Sequence, residues 1–260
     1  MKNEWDDRLS FLQAIRDGWC NTDYIEFLVE KVWRIEYAVD IVDFGCGFGY
    51  IGLLLMPLLP KGSTYTGIDN SQALLARAKS IFKDAPYDTK FILADLTDYS
   101  PREEYDIAIC NAVLRHIPGP RAILEKMIGS VRPGGWVICM ETDRPMQEAG
   151  RYFSNLDCTE LAQTALYTKI WRRELESGGR DARTGVKIPQ YMQELGLEDI
   201  EIRINDRVKF ANPHADGYEH VYQAMIEAND WDRHYNKEEK QKYIDTMMSK
   251  GLTLRSLKSS

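Results

Sequence analysis

An α/β fold, Rossmann-like and doubly wound, with a mostly parallel sheet covered by helices on both faces, is predicted by three observations. Short apolar runs alternate with amphipathic stretches in strand–helix order through the first 142 residues. One apolar run closes on a carboxylate and then a glycine loop, Asp43-Phe44-Gly45-Cys46-Gly47-Phe48-Gly49-Tyr50. The next apolar run closes on a second carboxylate, Gly67-Ile68-Asp69. Strand, glycine loop and helix in this order let a ligand lie directly on the backbone at the carboxyl edge of an open sheet.

Each element follows from its pattern. Ahead of the sheet, residues 3–16 and 22–35 have the spacing of two amphipathic helices. Strands are expected over 38–44, 64–69, 89–94, 105–111 and 135–141, with helices over 50–59, 71–82 and 120–129 between them. Asn70-Ser71 offers a helix N-cap, and Pro120 suits a first helical turn. Pro133-Gly134-Gly135 reads as a turn feeding the fifth strand. Alternation then stops. Residues 146–177 read as a mostly helical insertion carrying Tyr152, Phe153, Tyr167 and Trp171, closed by the flexible return Ser177-Gly178-Gly179-Arg180. A helix over 188–195 and an extended run over 199–210 resume the pattern. That run either splits into two strands at Asn205-Asp206 or forms one. The expected organisation is N-terminal helices (1–37), a ligand-binding core (38–145), a helical lid insertion (146–185), a return of the core (186–212) and a helical tail (213–260).

Composition narrows the class. With 260 residues, 44% hydrophobic and 28% charged, the chain is long enough for one large α/β domain with additions. A net charge of −7 opposes bulk binding to nucleic acid. No apolar run approaches the ~20 residues of a bilayer span. The acidic start, Met1 to Asp7, is unlike a signal peptide, so a cytoplasmic protein is expected. The five cysteines (Cys20, Cys46, Cys110, Cys139, Cys158) show no CxxC or Cys/His spacing and read as reduced thiols, with no metal site.

Gly47 to Gly52 formally matches GxGxxG, and Asp69 lies where the dinucleotide fingerprint asks for an acid. Electrostatics point elsewhere. A pyrophosphate wants backbone amides and no nearby anion, whereas Asp43 stands just ahead of the loop. Carboxylates around such a crevice suit a phosphate-free, positively charged ligand. S-adenosylmethionine, with its sulfonium and ammonium groups, is one. Two other readings stay open: an NAD-dependent oxidoreductase built on the glycine match, and a non-catalytic S-adenosylmethionine-binding protein.

These residues resemble the class I S-adenosylmethionine-dependent methyltransferases, most closely the small-molecule branch that includes the ubiquinone and menaquinone biosynthetic enzymes. The likeness covers about residues 38–142 and returns near 186–205. Asp43 to Gly49 resembles the first motif, D/E-x-G-x-G-x-G, which implies cofactor contacts at Asp43, Gly45, Cys46 and Gly47. Asp69, followed by Asn70, falls where the family holds the ribose hydroxyls. Asp95-Leu96 falls where it holds the adenine, and the segment from Asn111 to Ile117 where it flanks the methionyl group. Val131-Arg132-Pro133-Gly134-Gly135 resembles its lead into strand five. The resemblance implies S-adenosylmethionine as cofactor and a small-molecule methyl acceptor. It also implies a seventh, antiparallel strand, and an incomplete sheet edge would leave room for a homodimer.

Structural alternatives stand beside these roles. Gly45 and Gly47 could be turn glycines, Asp69 a helix cap, Asp95 a turn residue and Cys46 a small filler. His116 is the best-placed general base, or a residue that shapes the site. Tyr24, Tyr152, Phe153 and Trp171 line an acceptor pocket or pack a lid on the core. Trp19 and Asp23-Tyr24 resemble a cofactor-closing helix. Arg172, Arg173, Arg180 and Arg183 meet an acidic substrate or water. His214, His220 and His234 read as surface residues.

Overall fold

A computed structural model describes residues 22–101, 104–149 and 165–204, with single helical positions at 12, 238, 241 and 245. Trp19, Cys20, Tyr152, Phe153, Cys158, the helix expected over 3–16 and the histidines of the tail lie outside these residues. The described elements begin with α1 (Thr22–Phe27), which continues as a π-helical turn over Leu28–Trp33. There follow β1 (Asp40–Phe44), α2 (Tyr50–Leu55), β2 (Thr64–Asp69), α3 (Gln72–Phe82) and β3 (Asp88–Leu93). Next come β4 (Tyr105–Asn111), α4 (Pro120–Ile128), β5 (Val131–Met140), α5 (Arg144–Ala149), α6 (Ala165–Gly178) and α7 (Thr184–Glu194). No helix among the described residues is long and apolar enough to cross a membrane.

The sheet is parallel, in the order β3-β2-β1-β4-β5. Its central strands bury residues on both faces because helices cover both sides. Ile41, Tyr65, Ile107 and Ile109 enter one cluster with Ile25, Leu28, Ile51 and Leu55 from the helices on that side. Val42, Phe44, Ile68, Ala108 and Cys110 enter another with Ile123, Leu124 and Met127 of α4 and Ile188 and Met192 of α7. Successive strand residues therefore sort to opposite faces, as the pleat requires. In α3, Leu74, Leu75, Ala78 and Phe82 are the buried positions, at helical spacing, and Ser71 caps it by accepting from the Leu74 amide at 3.2 Å.

Several expectations change in detail. The helix expected over 50–59 stays α-helical only to Leu55 and tightens to a 3₁₀ turn over Met56–Leu58, because Pro57 lacks an amide to continue the α pattern. β5 begins at Val131, before the Pro-Gly-Gly segment, which the strand passes as a bulge: Tyr105 pairs with Val131 and Ile107 with Trp136. The bulge is also a clamp. Arg132 pairs with Asp106, and with Asp40 at 3.0 Å, at the amino edge of the sheet. A Cβ at Gly135 would come 2.8 Å from the Asp106 carbonyl oxygen, so only glycine passes there. The strand expected from 199 is not formed through 204: Asp199 takes a left-handed φ of 51°, and Ile202 and Ile204 are exposed. Residues 205–210 lie outside the described residues.

Two compact units divide the described residues. One holds 22–143 and 174–204, with the whole sheet; the other holds 144–149, 165–173 and the single positions 12, 238, 241 and 245, which are helical.

Candidate functional site

β1 delivers the chain to the carboxyl edge at Phe44, and Gly45 to Gly49 carry it into α2. The amides of Gly45 and Cys46 both donate to the Ile68 carbonyl at 2.8 and 2.9 Å, pinning the loop to the end of β2. The Gly47 amide donates to Asp69 Oδ2 at 2.8 Å, and the Gly49 amide to the Cys46 carbonyl at 2.9 Å. Four loop amides are thus engaged within the chain. Gly45 and Gly47 hold φ values of 79° and 57°, left-handed conformations that favour glycine. Space matters as much at Gly45: a Cβ there would approach Val113 Cγ2 to 2.6 Å. Val113 follows β4, so the glycine loop and the β4 turn touch where the winding of the sheet reverses, the position at which open α/β sheets take ligands.

The two strand-end carboxylates have different surroundings. Asp69 is 9% exposed. Its Oδ1 accepts from the Ser71 amide at 2.8 Å while Oδ2 accepts from Gly47. The carboxylate therefore ties the glycine loop to the start of α3, and Ser71 supplies the helix cap. Asp43 is 1% exposed and accepts the Tyr65 hydroxyl at 2.6 Å. Tyr65 is fully buried, and burial, followed by the Asp43 charge, pushes its phenol well above the usual range. Cys46 turns its thiol into the core, where burial and then the charges of Asp43 and Asp69 raise its pKa.

Further along the edge, Asp95 Oδ1 accepts from the Thr97 amide at 2.8 Å and from the Thr97 hydroxyl at 2.7 Å. The hydroxyl bond, then the amide bond, then Asn70 and the charge of Lys126 hold this exposed carboxyl below the ordinary Asp value, against the opposing effect of burial. Asn70 and Asp95 thus meet, joining the ends of β2 and β3. Leu96 is buried in the second core cluster, and its carbonyl accepts from Lys126 Nζ at 3.0 Å.

On the other side of the reversal, β4 ends at buried Asn111 and turns sharply through Ala112, a non-glycine residue at φ 57°. A 3₁₀ turn over Leu114–His116 follows, closed by the His116 amide on the Val113 carbonyl at 2.9 Å. Half-buried His116 thus stands one turn beyond the strand end. Arg115 and Glu174 form an ion pair at 3.8 Å, with both side chains 9% exposed. Glu141, just past β5, accepts the Val113 and Leu114 amides on Oε1 at 2.7 and 2.9 Å.

The structure therefore gathers Gly45, Gly47 and Asp69 into one bonded cluster and pairs Asn70 with Asp95. It links the Asn111–His116 segment to the loop through Val113. Trp171 is half-buried on α6, and Arg183 pairs with Asp143 at 3.3 Å. Sequence reasoning missed Tyr65 and Glu141. A signal existed for Glu141, which follows its strand as Asp43 and Asp69 end theirs.

A glycine loop flanked by Asp43 and Asp69 at the reversal of a parallel α/β sheet is the position at which open sheets of this class take ligands. The methyltransferase domain family matches residues 41–135. The ubiquinone biosynthesis O-methyltransferase of Hydrogenovibrio crunogenus is 34% identical over 146 residues, 55% of this chain and 58% of that protein. The trans-aconitate 2-methyltransferase of Acidovorax sp. (strain JS42) is 35% identical over 109 residues, 41% of this chain and 40% of that protein. The chain thus spans about half the length of the curated relatives it matches. A crystal structure of a candidate methyltransferase from Bacillus halodurans shares the fold with a TM-score of 0.54 at 14% identity, covering 85% of this chain and 88% of that one.

Proposed function

We propose that the whole chain is a methyltransferase that uses S-adenosylmethionine and methylates a small-molecule acceptor. One observation carries the choice of ligand: the amides of Gly45, Cys46, Gly47 and Gly49 all donate within the chain, one of them to Asp69. A pyrophosphate needs those donors and repels that carboxylate. An adenosyl sulfonium needs neither donor, and its ribose hydroxyls and ammonium are cations or hydrogen-bond donors that carboxylates accept. The donor set thus fits S-adenosylmethionine and opposes NAD.

In this reading Asp69 accepts from the ribose hydroxyls, with Asn70 beside it, and Asp95 and Leu96 meet the adenine. Gly45, Cys46 and Gly47 let the methionyl part lie on the backbone; the charge of Asp43 favours its ammonium, and Asn111 flanks it. When bound, the cofactor supplies an electrophilic methyl carbon. The chain aligns the acceptor opposite the departing sulfur and excludes water, which is catalysis by proximity in a dry site. His116 removes the acceptor proton or shapes its pocket. The inserted helices act as a lid. Relatives named for ubiquinone biosynthesis and for trans-aconitate both take small molecules, which supports an acceptor of that size. We place the enzyme in the cytoplasm, with a second copy as its partner and no nucleic acid.

Calorimetry with S-adenosylmethionine, S-adenosylhomocysteine and NADH tests the ligand, and turnover against a small-molecule panel tests the activity. Binding of the first two and methylation of a panel member are expected. NADH binding without S-adenosylmethionine binding overturns the reading.

A further inference from the structure

Three consecutive amides after β4 are held by two consecutive residues at the end of β5. Ala112 donates to the Met140 carbonyl at 3.0 Å, and Val113 and Leu114 donate to Glu141 Oε1 at 2.7 and 2.9 Å. The Cys110 thiol points at the same oxygen from 3.8 Å. A 3₁₀ turn begins with amides that have no partner inside it, and a residue just before the turn usually satisfies them. Here a carboxylate 27 and 28 positions away in the chain does so. A left-handed alanine persists only where its surroundings dictate it, and Ala112 sits at φ 57° between these bonds.

The clamped turn reaches the site in two directions. It ends at His116, whose amide bonds to the Val113 carbonyl. It also presses the Val113 side chain into the space that a Cβ at Gly45 would occupy.

We infer that Glu141 is a positioning residue for methyl transfer. Its Oε1 fixes the turn that sets His116 on the acceptor side and Val113 over the glycine loop. The inference rests on the methyltransferase reading above, and on a geometry that no part of that reading uses. Glu141 does its work through the backbone, so an uncharged acceptor of the same reach serves nearly as well, whereas a shorter or missing side chain does not.

The test uses the full chain with Glu141→Gln, Glu141→Asp and Glu141→Ala. Amide hydrogen exchange is followed at Val113 and Leu114, and kcat and KM are measured with saturating S-adenosylmethionine. Glu141→Gln keeps both amides protected and kcat within about threefold of wild type. Glu141→Asp and Glu141→Ala expose both amides and lower kcat by about ten- to a hundredfold, the scale of a displaced reacting group. KM for S-adenosylmethionine moves less than kcat. The double variant Glu141→Ala/His116→Ala falls below His116→Ala by less than Glu141→Ala loses alone, because the two changes share part of one contribution. Unchanged exchange at Val113 and Leu114 in Glu141→Asp overturns the inference, as do fully additive losses in the double variant. If Glu141→Ala does not fold, the contrast between the Gln and Asp variants decides. A wild-type chain that neither binds S-adenosylmethionine nor transfers methyl sinks the methyltransferase reading instead, while the exchange rates still report on the clamp.

Discussion

Asp43 and Asp69 lie beside one glycine loop on the same face of the sheet, since Asp43 pairs with Gly67 and Asp69 shares its parity, yet they take different partners. Asp43 shares strand parity with Ile41, so it falls on the face occupied by Tyr65 and accepts its hydroxyl; Asp69, the last residue of β2, binds loop and helix start. Tyr65→Phe should lower stability by about 1.5–3 kcal/mol, the range for hydrogen bonds to a charged group, read from the urea midpoint. Its affinity for S-adenosylmethionine should barely change. Asp69→Ala should instead weaken that affinity by about 1.5–3 kcal/mol in calorimetry, and unchanged affinity in a folded variant refutes the ribose role. Asp95 has a lowered carboxyl pKa, so its contribution to stability is fully present above the unfolded value of about 3.9 and is lost as pH falls through the folded value. In Thr97→Val, whose hydroxyl bond is the main cause, the Asp95 carboxyl should titrate closer to the ordinary value, read by NMR. The motif residues were legible in the sequence because their spacing survives without coordinates. Asp43 facing Tyr65 was legible in principle from parity, but a motif reading looks only toward the ligand.

Among the elements, β2 and β4 match their sequence patterns residue for residue, because the turn signals that bound them leave little choice of end. β5 does not. Pro-Gly-Gly read alone means a turn, and only the pairing of Val131 with Tyr105 shows the strand continuing through it. The Arg132 pairs with Asp106 and Asp40 are tertiary, across neighbouring strands, and no local pattern reports them. Gly135→Ala should therefore cost about 1–3 kcal/mol, as overpacking does, seen as a lower denaturant midpoint with the S-adenosylmethionine affinity of the folded fraction unchanged. A variant as stable as wild type would mean that the bulge can widen. The expected strand from 199 failed at its first residues for a related reason: alternating side chains suit a strand, yet strand formation needs a partner edge, which local sequence does not name.

At the scale of the whole molecule, the order β3-β2-β1-β4-β5 puts the carboxyl ends of five parallel strands along one edge, with Asp69 and Asp95 among the residues there. This arrangement was legible because strand–helix alternation forces parallel neighbours and right-handed crossovers. The acceptor was not, because lids differ in side-chain packing rather than in periodicity. Ligand linkage gives a global check. S-adenosylmethionine at a hundred times its Kd should stabilise the chain by about 2.7 kcal/mol and raise Tm by several degrees, whereas NADH at the same concentration should leave Tm unchanged. A shift with NADH alone would reverse the assignment.

The ring of bonds from Ile68 and Asp69 to the glycine loop has a kinetic corollary. A loop already held before its guest arrives has no ordering step of its own, so capture should wait only on encounter and on access past the inserted helices. Differences in residence time, not in arrival, should then distinguish the methylated donor from its spent thioether.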